Sequence, residues 1–537
     1  MKRKSCMSTI KFVWLLLFVM MIQNTFCQNI KDNTKKPNII LIMVDDMGWS
    51  DIGAYGGEIP TPNIDALATN GIKFNQFYNN ARCCPTRASL LTGLYAHQAG
   101  IGMMTETSNS EFNWGTPGYQ GYLNKNNVTI AEVLKQQGYQ TFMAGKWHLG
   151  MYGKEKWPLQ RGFDRYYGTL EGASSYFKPQ GQRGITIDNN EVITINQPNY
   201  YTTDVYTEKA IDYIKESSKN PFFLYLAYNA PHWPLQAKEK DIEKFKNYYL
   251  KGWDEIRKER LKKQLDMGLI DASWGLSARD NRVRIWEKLT QEEKEKVAYR
   301  MAVYAAQVYS VDENIGKLTS YLKSAGKLQN TIIFFLSDNG ACAEAYDELG
   351  SREDRFINDP NYSGAVSYGI GWANASNTPF YEYKVKSYEG GISTPLIVSY
   401  PKFTKNNGKI VKTVGTIRDI MPTIIELTGA KYPETFHNGE VIYKLEGQSL
   451  VPTIIKGKQT NQDYLFWEHS DFGAVRHGDW KLVYDNIKKT KALFNLATDR
   501  TETTNLIESN AELAKKLDEK WQQWANTHFV YPKKIKK

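Results

Sequence analysis

Pro37-Asn38-Ile39-Ile40-Leu41-Ile42-Met43-Val44-Asp45-Asp46 is the stretch on which the fold turns. Aliphatic residues, most of them β-branched, run without interruption between a turn-forming Pro-Asn and a pair of acids. Such a run has no polar face to show water. As a strand it has to be covered on both sides, which is the condition of a strand inside a parallel sheet flanked by helices. The two acids then fall just past the strand's C-terminal end, the edge at which open parallel α/β sheets bind ligands.

The same grammar recurs outward along the chain. Thr331 to Leu336 runs into Ser337-Asp338-Asn339-Gly340, Phe222 to Tyr228 into Asn229-Ala230-Pro231-His232, and Tyr139 to Ala144 into Gly145-Lys146-Trp147-His148. One polar strand end is as readily a solvated loop start. Four that deliver acids, amides, lysines and histidines favour a single convergent site. Helical patterns lie between them, such as Thr129 to Gln137, stopped by Gly138, and Glu239 to Leu328 reads as a charged insertion of two or three long surface helices. From about Asn461 the pattern is shorter and alternating (Tyr464 to Trp467, Gly473 to Arg476, Trp480 to Tyr484), then helical from Asn510 to Asn526. The expected architecture is therefore α/β: a large, mostly parallel sheet flanked by helices over residues 37–455, with the charged insertion at about 239–328, and a smaller antiparallel sheet plus helix over 456–537.

At 537 residues the chain has room for a large domain with an appendage. Its 41% hydrophobic and 23% charged residues exclude a disordered or fibrous protein. Lys2, Arg3, Lys4 and Lys11 precede the apolar run Phe12 to Ile22 and the Thr25-Phe26-Cys27 triplet, which reads as a secretory signal peptide over 1–27 followed by a polar linker, 28–36. The run is too short to span a bilayer core of about 30 Å, so no stable membrane insertion is expected after cleavage. A lipid anchor on Cys27 fits less well because Phe26 is bulky. Cleavage removes four basic residues and no acid, taking the formal charge from +10 to +6. No arginine stripe or nucleic-acid module exploits that charge. It also leaves three cysteines, Cys83, Cys84 and Cys342, too few for a disulfide framework in an exported periplasmic or secreted protein.

Cys83-Cys84-Pro85-Thr86-Arg87-Ala88-Ser89-Leu90-Leu91-Thr92-Gly93 is the most informative string. Pro85 suits a first helical turn and Gly93 a helix end, which puts Cys83 at a helix N-terminus, where backbone N–H groups favour negative charge. Arg87, one turn in, can reach back toward it. From the residues alone a strained vicinal disulfide, a structural thiol pair and half of a zinc site all compete, although no C-x-x-C pair supports zinc. The string resembles the type I sulfatase signature C-x-P-(S/A/T)-R-x-x-L-L-T-G, with flanks similar to bacterial arylsulfatases. In that family the first cysteine is oxidised by a maturation enzyme to formylglycine (3-oxoalanine), and the register selects Cys83. The resemblance spans nearly the whole mature chain: Gly145 to Gly150 is its second signature, Asp45-Asp46 and Asp338-Asn339 its metal pairs, and Ala230-Pro231-His232 and Lys384, before Glu389-Gly390-Gly391, its sulfate-binding histidine and lysine. Two positions depart from it: Thr86 replaces the commoner Ser or Ala, and Ser393 stands where many members have Arg.

The resemblance implies an alkaline phosphatase-like fold and hydrolysis of sulfate monoesters, of small molecules or terminal on a carbohydrate. Asp45, Asp46, Asp338, Asn339 and the modified residue 83 would hold calcium: hard oxygen donors favour calcium or magnesium over zinc, and room for six or more oxygens favours calcium over magnesium. A hydrated formylglycine would attack sulfur with one hydroxyl and expel sulfate by collapse of the other. Arg87 and Lys146 would hold it, His148 act as base, His232 as acid at the leaving oxygen, and Lys146, His232 and Lys384 bind the sulfate. A phosphonate or phosphate monoester hydrolase of the same superfamily, and a non-catalytic exported glycan-binding protein, are the alternatives. Loops such as Glu171 to Lys178 are expected to set the substrate. Of the remaining histidines, His97 is expected to support the helix after Cys83, His469 and His477 to rim the pocket, and His437 and His528 to lie on the surface. Asn127, Asn361 and Asn374 fit glycosylation sequons.

Overall fold

The Ile39–Val44 run lies in the middle of the main sheet. A computed structural model describes residues 36–105, 114–217, 220–344, 354–402 and 407–533. The expected signal peptide, and the linker apart from Lys36, lie outside the described residues. The sheet is built from β1 (Asn38–Val44), β2 (Gly71–Phe74), β3 (Gln140–Gly145), β4 (Arg165–Thr169), β5 (Thr186–Asp188), β6 (Glu191–Ile193), β7 (Phe222–Ala227), β8 (Thr331–Ser337), β9 (Leu396–Ser399) and β10 (Lys409–Val411). Their order is β10-β2-β9-β8-β1-β7-β3-β4-β5-β6. β8, β1, β7, β3 and β4 run parallel, Ile39 pairing with Phe223 on one side and Ile332 on the other. β9 runs antiparallel to both its neighbours, and β5 and β6 finish the opposite edge as a hairpin. The four strands expected from sequence are thus four adjacent parallel strands.

Every residue of β1, β7 and β8 is buried. Alternate residues feed two cores: Ile40, Ile42 and Val44 point into one, Ile39, Leu41 and Met43 into the other. At about 1.5–3 kcal/mol per fully buried aliphatic side chain, this two-sided burial fixes the strand register, because a one-residue slip would exchange the faces.

Among the helices are α1 (Cys83–Thr92), α2 (Ile130–Lys135), α3 (Thr202–Glu216), α4 (Trp253–Asp266) and α5 (Gln291–Ser324). α2 starts on a capping box in which Thr129 and Glu132 satisfy each other's backbone N–H groups, and Gly138 follows it at φ 81°. The 239–328 segment corrects the sequence reading. α5 is a core helix, not a surface one: Val297, Met301, Ala302, Val303, Ala305 and Ala306 are buried in the same core as β1 and β7. Its charges crowd its first turn, and averaging over the segment hides the small apolar stripe behind them. α4 also packs on the body, its fully buried Arg260 pairing with Asp51 and Glu58, both at 2.7 Å.

Residues 464–527 form the antiparallel sheet β11 (Tyr464–His469), β12 (Phe472–His477), β13 (Trp480–Asp485) and β14 (Thr490–Asn495), followed by α6 (Ala511–Thr527). Alternation is complete. Val475, Leu482 and Leu493 pack on Leu517, Trp521 and Trp524 of α6, while Ala474, Val483 and Phe494 pack on Tyr78, Ala81 and Ile392 of the main body. This second face lies directly behind the segment that leads into Cys83. Among the described residues no helix is long and apolar enough to cross a membrane.

Candidate active site

Because β8, β1, β7 and β3 are adjacent and parallel, their C-terminal ends bring Asp338-Asn339, Asp45-Asp46, Asn229 to His232 and Lys146 to His148 to one edge. The β3 end needs glycine: at Gly145 a Cβ would lie 1.9 Å from the carbonyl oxygen of Ala227. The Asn339 amide donates to Asp46 Oδ1 at 2.7 Å and the Asp46 backbone N–H to Asp338 Oδ1 at 3.2 Å. Asp45 Oδ1 and Asn339 Oδ1 are buried without any partner. Backbone strain gathers here too, with Asp46, Ala81, His148 and Val385 all at φ between 55° and 79°.

Cys83 opens α1 as predicted, fully buried, and α1 ends on Gly93 at φ 72°. Cys83, Cys84 and Cys342 are free thiols, so no vicinal disulfide forms. The sulfurs of Cys83 and Cys84 and a ring nitrogen of His148 lie within 4.8 Å of one another. The Cys84 thiol, working against burial and helped by Lys146 and His148, holds the Cys83 thiol well below the usual thiol range. Arg87 turns toward the strand ends, donating to Asp338 Oδ2 at 2.8 Å and to the Lys146 carbonyl at 3.1 Å, with Asp45 Oδ2 at 3.6 Å. Lys146 Nζ bonds Asp45 Oδ2. Burial opposes a charged Lys146, but Asp45 and Cys83 outweigh it.

Lys384 reaches the same edge from the loop before Glu389. Its Nζ sits 2.8 Å from Asp46 Oδ1, 3.4 Å from His232 Nε2 and 3.7 Å from Glu344. His232 Nε2 is 3.2 Å from Asp46 Oδ2, and Nδ1 is bonded to the Trp233 carbonyl at 2.7 Å. Burial lowers His232 to about 4 and also lowers His148, whose Nδ1 is buried without a partner. Burial, then repulsion from Asp45, pushes the Asp338 carboxyl up to about 8. All ten residues singled out from sequence are therefore buried side by side.

Other residues were not legible beforehand. Glu344 bridges Arg82, Lys384 and the Trp233 indole N–H (3.3 Å), and Tyr225 meets Arg87 at 3.4 Å. Neither belongs to a motif, and only strand position points to Tyr225. Tyr176, inside the expected substrate loop, donates to the carbonyls of His232 (2.7 Å) and Asn229 (3.0 Å). His97 bonds Glu468 at 2.8 Å and so ties the chain after α1 to β11. His469 is buried and lowered to about 4 by burial and Arg82, against the opposing pull of Glu468 and Cys83. His477 does not rim the site; it stacks on Tyr464 at 4.3 Å, half exposed. His437 and His528 are partly buried, not surface residues, and bond the Asn127 carbonyl (3.1 Å) and Glu446 (3.2 Å). Asn127 and Asn374 are buried, which removes two of the three sequons as attachment points. Ser393 bonds Glu389 at 3.2 Å, and the guanidinium beside Glu389 comes from Arg500, at 2.8 Å.

A family model described as Sulfatase matches residues 37–430, and one described as N-sulphoglucosamine sulphohydrolase, C-terminal, matches residues 379–527. An uncharacterised sulfatase of Schizosaccharomyces pombe is 36% identical over 522 residues, covering 92% of this chain and 94% of that protein. An arylsulfatase of Klebsiella aerogenes is 36% identical over 410 residues, covering 74% and 87%. A crystal structure of Ps i-CgsB in complex with k-i-k-neocarrahexaose superposes with TM-score 0.68 at 29% identity, covering 91% and 93%. The strand-end site and these matches lead to one conclusion: the chain belongs to the sulfatase family and is a sulfatase, with the fold its signature implied.

Proposed function

We propose that this sulfatase is an exported hydrolase of sulfate monoesters that works through a formylglycine made from Cys83 and a calcium ion held by Asp45, Asp46, Asp338, Asn339 and the modified residue. The observation that carries the reading is the pair of buried, unpartnered oxygens on Asp45 and Asn339 beside an Asp338 carboxyl that burial and Asp45 disfavour as an anion. Carboxylates crowded in this way call for a hard cation, and an all-oxygen donor set suits calcium. When bound, calcium supplies Lewis acidity and a template for the ester's sulfate oxygens. A hydrated formylglycine supplies an attacking hydroxyl and a second hydroxyl whose collapse frees sulfate.

The side chains divide the remaining work. Asp45 and Asp338 fix Arg87 and Lys146, so two cations face residue 83 without freedom to move. His148, held in a strained backbone with a bare Nδ1, takes a proton from residue 83. His232 presents Nε2 to the pocket because Nδ1 is committed to the Trp233 carbonyl. Burial keeps this ring neutral, and an anionic ester beside it favours the charged ring that can donate to the leaving oxygen. Lys384, already paired with Asp46, adds positive charge on the leaving-group side. Enclosure of all these groups excludes bulk water and strengthens each electrostatic contact.

Aryl sulfates and carbohydrate sulfates are the substrate classes supported, by the arylsulfatase relative and by the relative complexed with a neocarrahexaose. Initial rates on nitrophenyl sulfate, phosphate and phosphonate, with calcium and after chelation, test the reading. The sulfate ester is expected to be hydrolysed fastest, and chelation to lower that rate. A faster phosphonate rate would favour the related phosphonate hydrolase, and indifference to chelation would remove the metal.

A further inference from the structure

The loop between β4 and β5 runs past the leaving-group side of the pocket and is pinned at many points. Its base closes through the Leu170 N–H and the Ile185 carbonyl (3.3 Å), and the Leu170 carbonyl accepts the His148 N–H (3.1 Å). Gly172 lies so close to His148 that a Cβ there would approach ring atom Cε1 to 2.7 Å. Tyr176 fastens the loop to the carbonyls of Asn229 and His232. At the loop's far end the exposed Arg183 guanidinium lies over the Trp233 ring, 5.3 Å from its centroid.

Trp233 is itself anchored. Its ring packs on His232 at 4.5 Å, and its indole N–H donates to Glu344, whose other oxygen holds Arg82. Three cations thus gather around Trp233 and Glu344: Arg183 over the ring, and Arg82 and the buried Lys384 on the carboxylate. Glu344 is taken up by Arg82 and Lys384, whereas Arg183 has no carboxylate partner among the described residues. An aromatic face holds a guanidinium in place without neutralising it. The ring that seats Arg183 packs on His232, the proposed acid at the leaving oxygen, which places Arg183 one ring beyond that acid.

We infer that Arg183, seated on Trp233, is a substrate-recognition residue for a second anionic group on the alcohol, so that the enzyme selects carbohydrates carrying a further sulfate or carboxylate. The inference rests on the ester-hydrolase reading for the position of the alcohol. Its test is calorimetric titration of full-length Cys83→Ala protein, in which turnover cannot consume the probe, with a panel of mono- and disulfated hexosamines. At low ionic strength the best disulfated sugar is expected to bind about fivefold tighter than its monosulfated parent, as one solvent-accessible ion pair allows. Arg183→Gln should bring that ratio close to one, Arg183→Lys should retain most of it, and added salt should erode it. A panel in which no disulfated sugar is preferred, or a preference that survives Arg183→Gln, would overturn the assignment. Nitrophenyl sulfate turnover by protein with Cys83 intact reports separately on the ester-hydrolase reading: no turnover alongside an Arg183-dependent preference sinks that reading while supporting the subsite.

Discussion

Two clusters of buried charge sit on either side of the turn that carries Lys384 and Glu389, and they are built to opposite ends. At the strand edge Asp45, Asp46 and Asp338 face Arg87, Lys146 and Lys384, yet Asp45 Oδ1 and Asn339 Oδ1 have nothing to bond. Against the C-terminal sheet, Glu389 and Glu502 meet Lys481 and Arg500: three of the four carboxylate oxygens are hydrogen-bonded, and the fourth, Glu502 Oε1, lacks a hydrogen bond but lies 2.8 Å from the Lys481 ammonium. Lys481 takes one oxygen of each acid, Arg500 takes Glu389 Oε2, and the Glu389 N–H takes Glu502 Oε2. A buried ionic cluster that closes on itself serves architecture. One that leaves oxygens bare has room for a cation and a substrate. The contrast teaches that burial of charge alone does not mark an active site; a carboxylate oxygen that neither a donor nor a cation reaches, as at Asp45 Oδ1, does.

The comparison is sharpest at Cys83. Cys83→Ala should abolish nitrophenyl sulfate turnover, whereas Cys84→Ala should leave most of it, with melting temperature recorded for both. Equal losses of activity would mean the register argument picks the wrong thiol. Lys481→Met probes the closed cluster. It leaves two buried carboxylates short of a cation, and a loss of about 3–5 kcal/mol in denaturant unfolding is expected. A stability near that of the wild type would show that the cluster relaxes or hydrates, and the contrast between the two clusters would blur.

A smaller effect comes from Glu502. Burial, opposed by Lys481 and aided by Glu389, raises its carboxyl from the ordinary 4.5 to about 7. The folded chain then keeps a proton that the unfolded chain releases above 4.5. Its contribution is full below that pH and is lost as pH rises through about 7, by up to ~1.4 kcal/mol per pH unit. Stability measured across that window should fall more steeply in the wild type than in Glu502→Gln. Parallel profiles would show that the acid is ionised throughout.

Much of this was legible in the chain, for physical reasons. β1, β3, β7 and β8 announce themselves because two-sided burial demands unbroken aliphatic runs, and their polar ends need only the parallel sheet to meet. Other elements were hidden. β5 and β6 are three-residue strands that end the sheet, too short to show a period, and β14 reads Thr-Lys-Ala-Leu-Phe-Asn, whose polar, exposed start masks its alternation. α5 was misplaced because its charged first turn conceals an Ala- and Val-rich core stripe. At the site, residues adjacent to strand ends or inside a motif could be named. Glu344 and Arg183 could not, because their places depend on where loops distant in sequence meet around Trp233. The closed cluster was half visible: Glu389 fell in a recognised string and Lys481 in an alternating stretch, but only the packing of β13 on the main body brings them together.

The account's central claim is that Cys83 does not remain a cysteine in the working enzyme. Mass spectrometry of the peptide containing Cys83, taken from a preparation that is actively cleaving nitrophenyl sulfate, tests it most directly. The account predicts that the peptide's dominant form carries oxygen in place of the Cys83 sulfur, while Cys84 is still a thiol. A peptide with both sulfurs intact at full activity would contradict it.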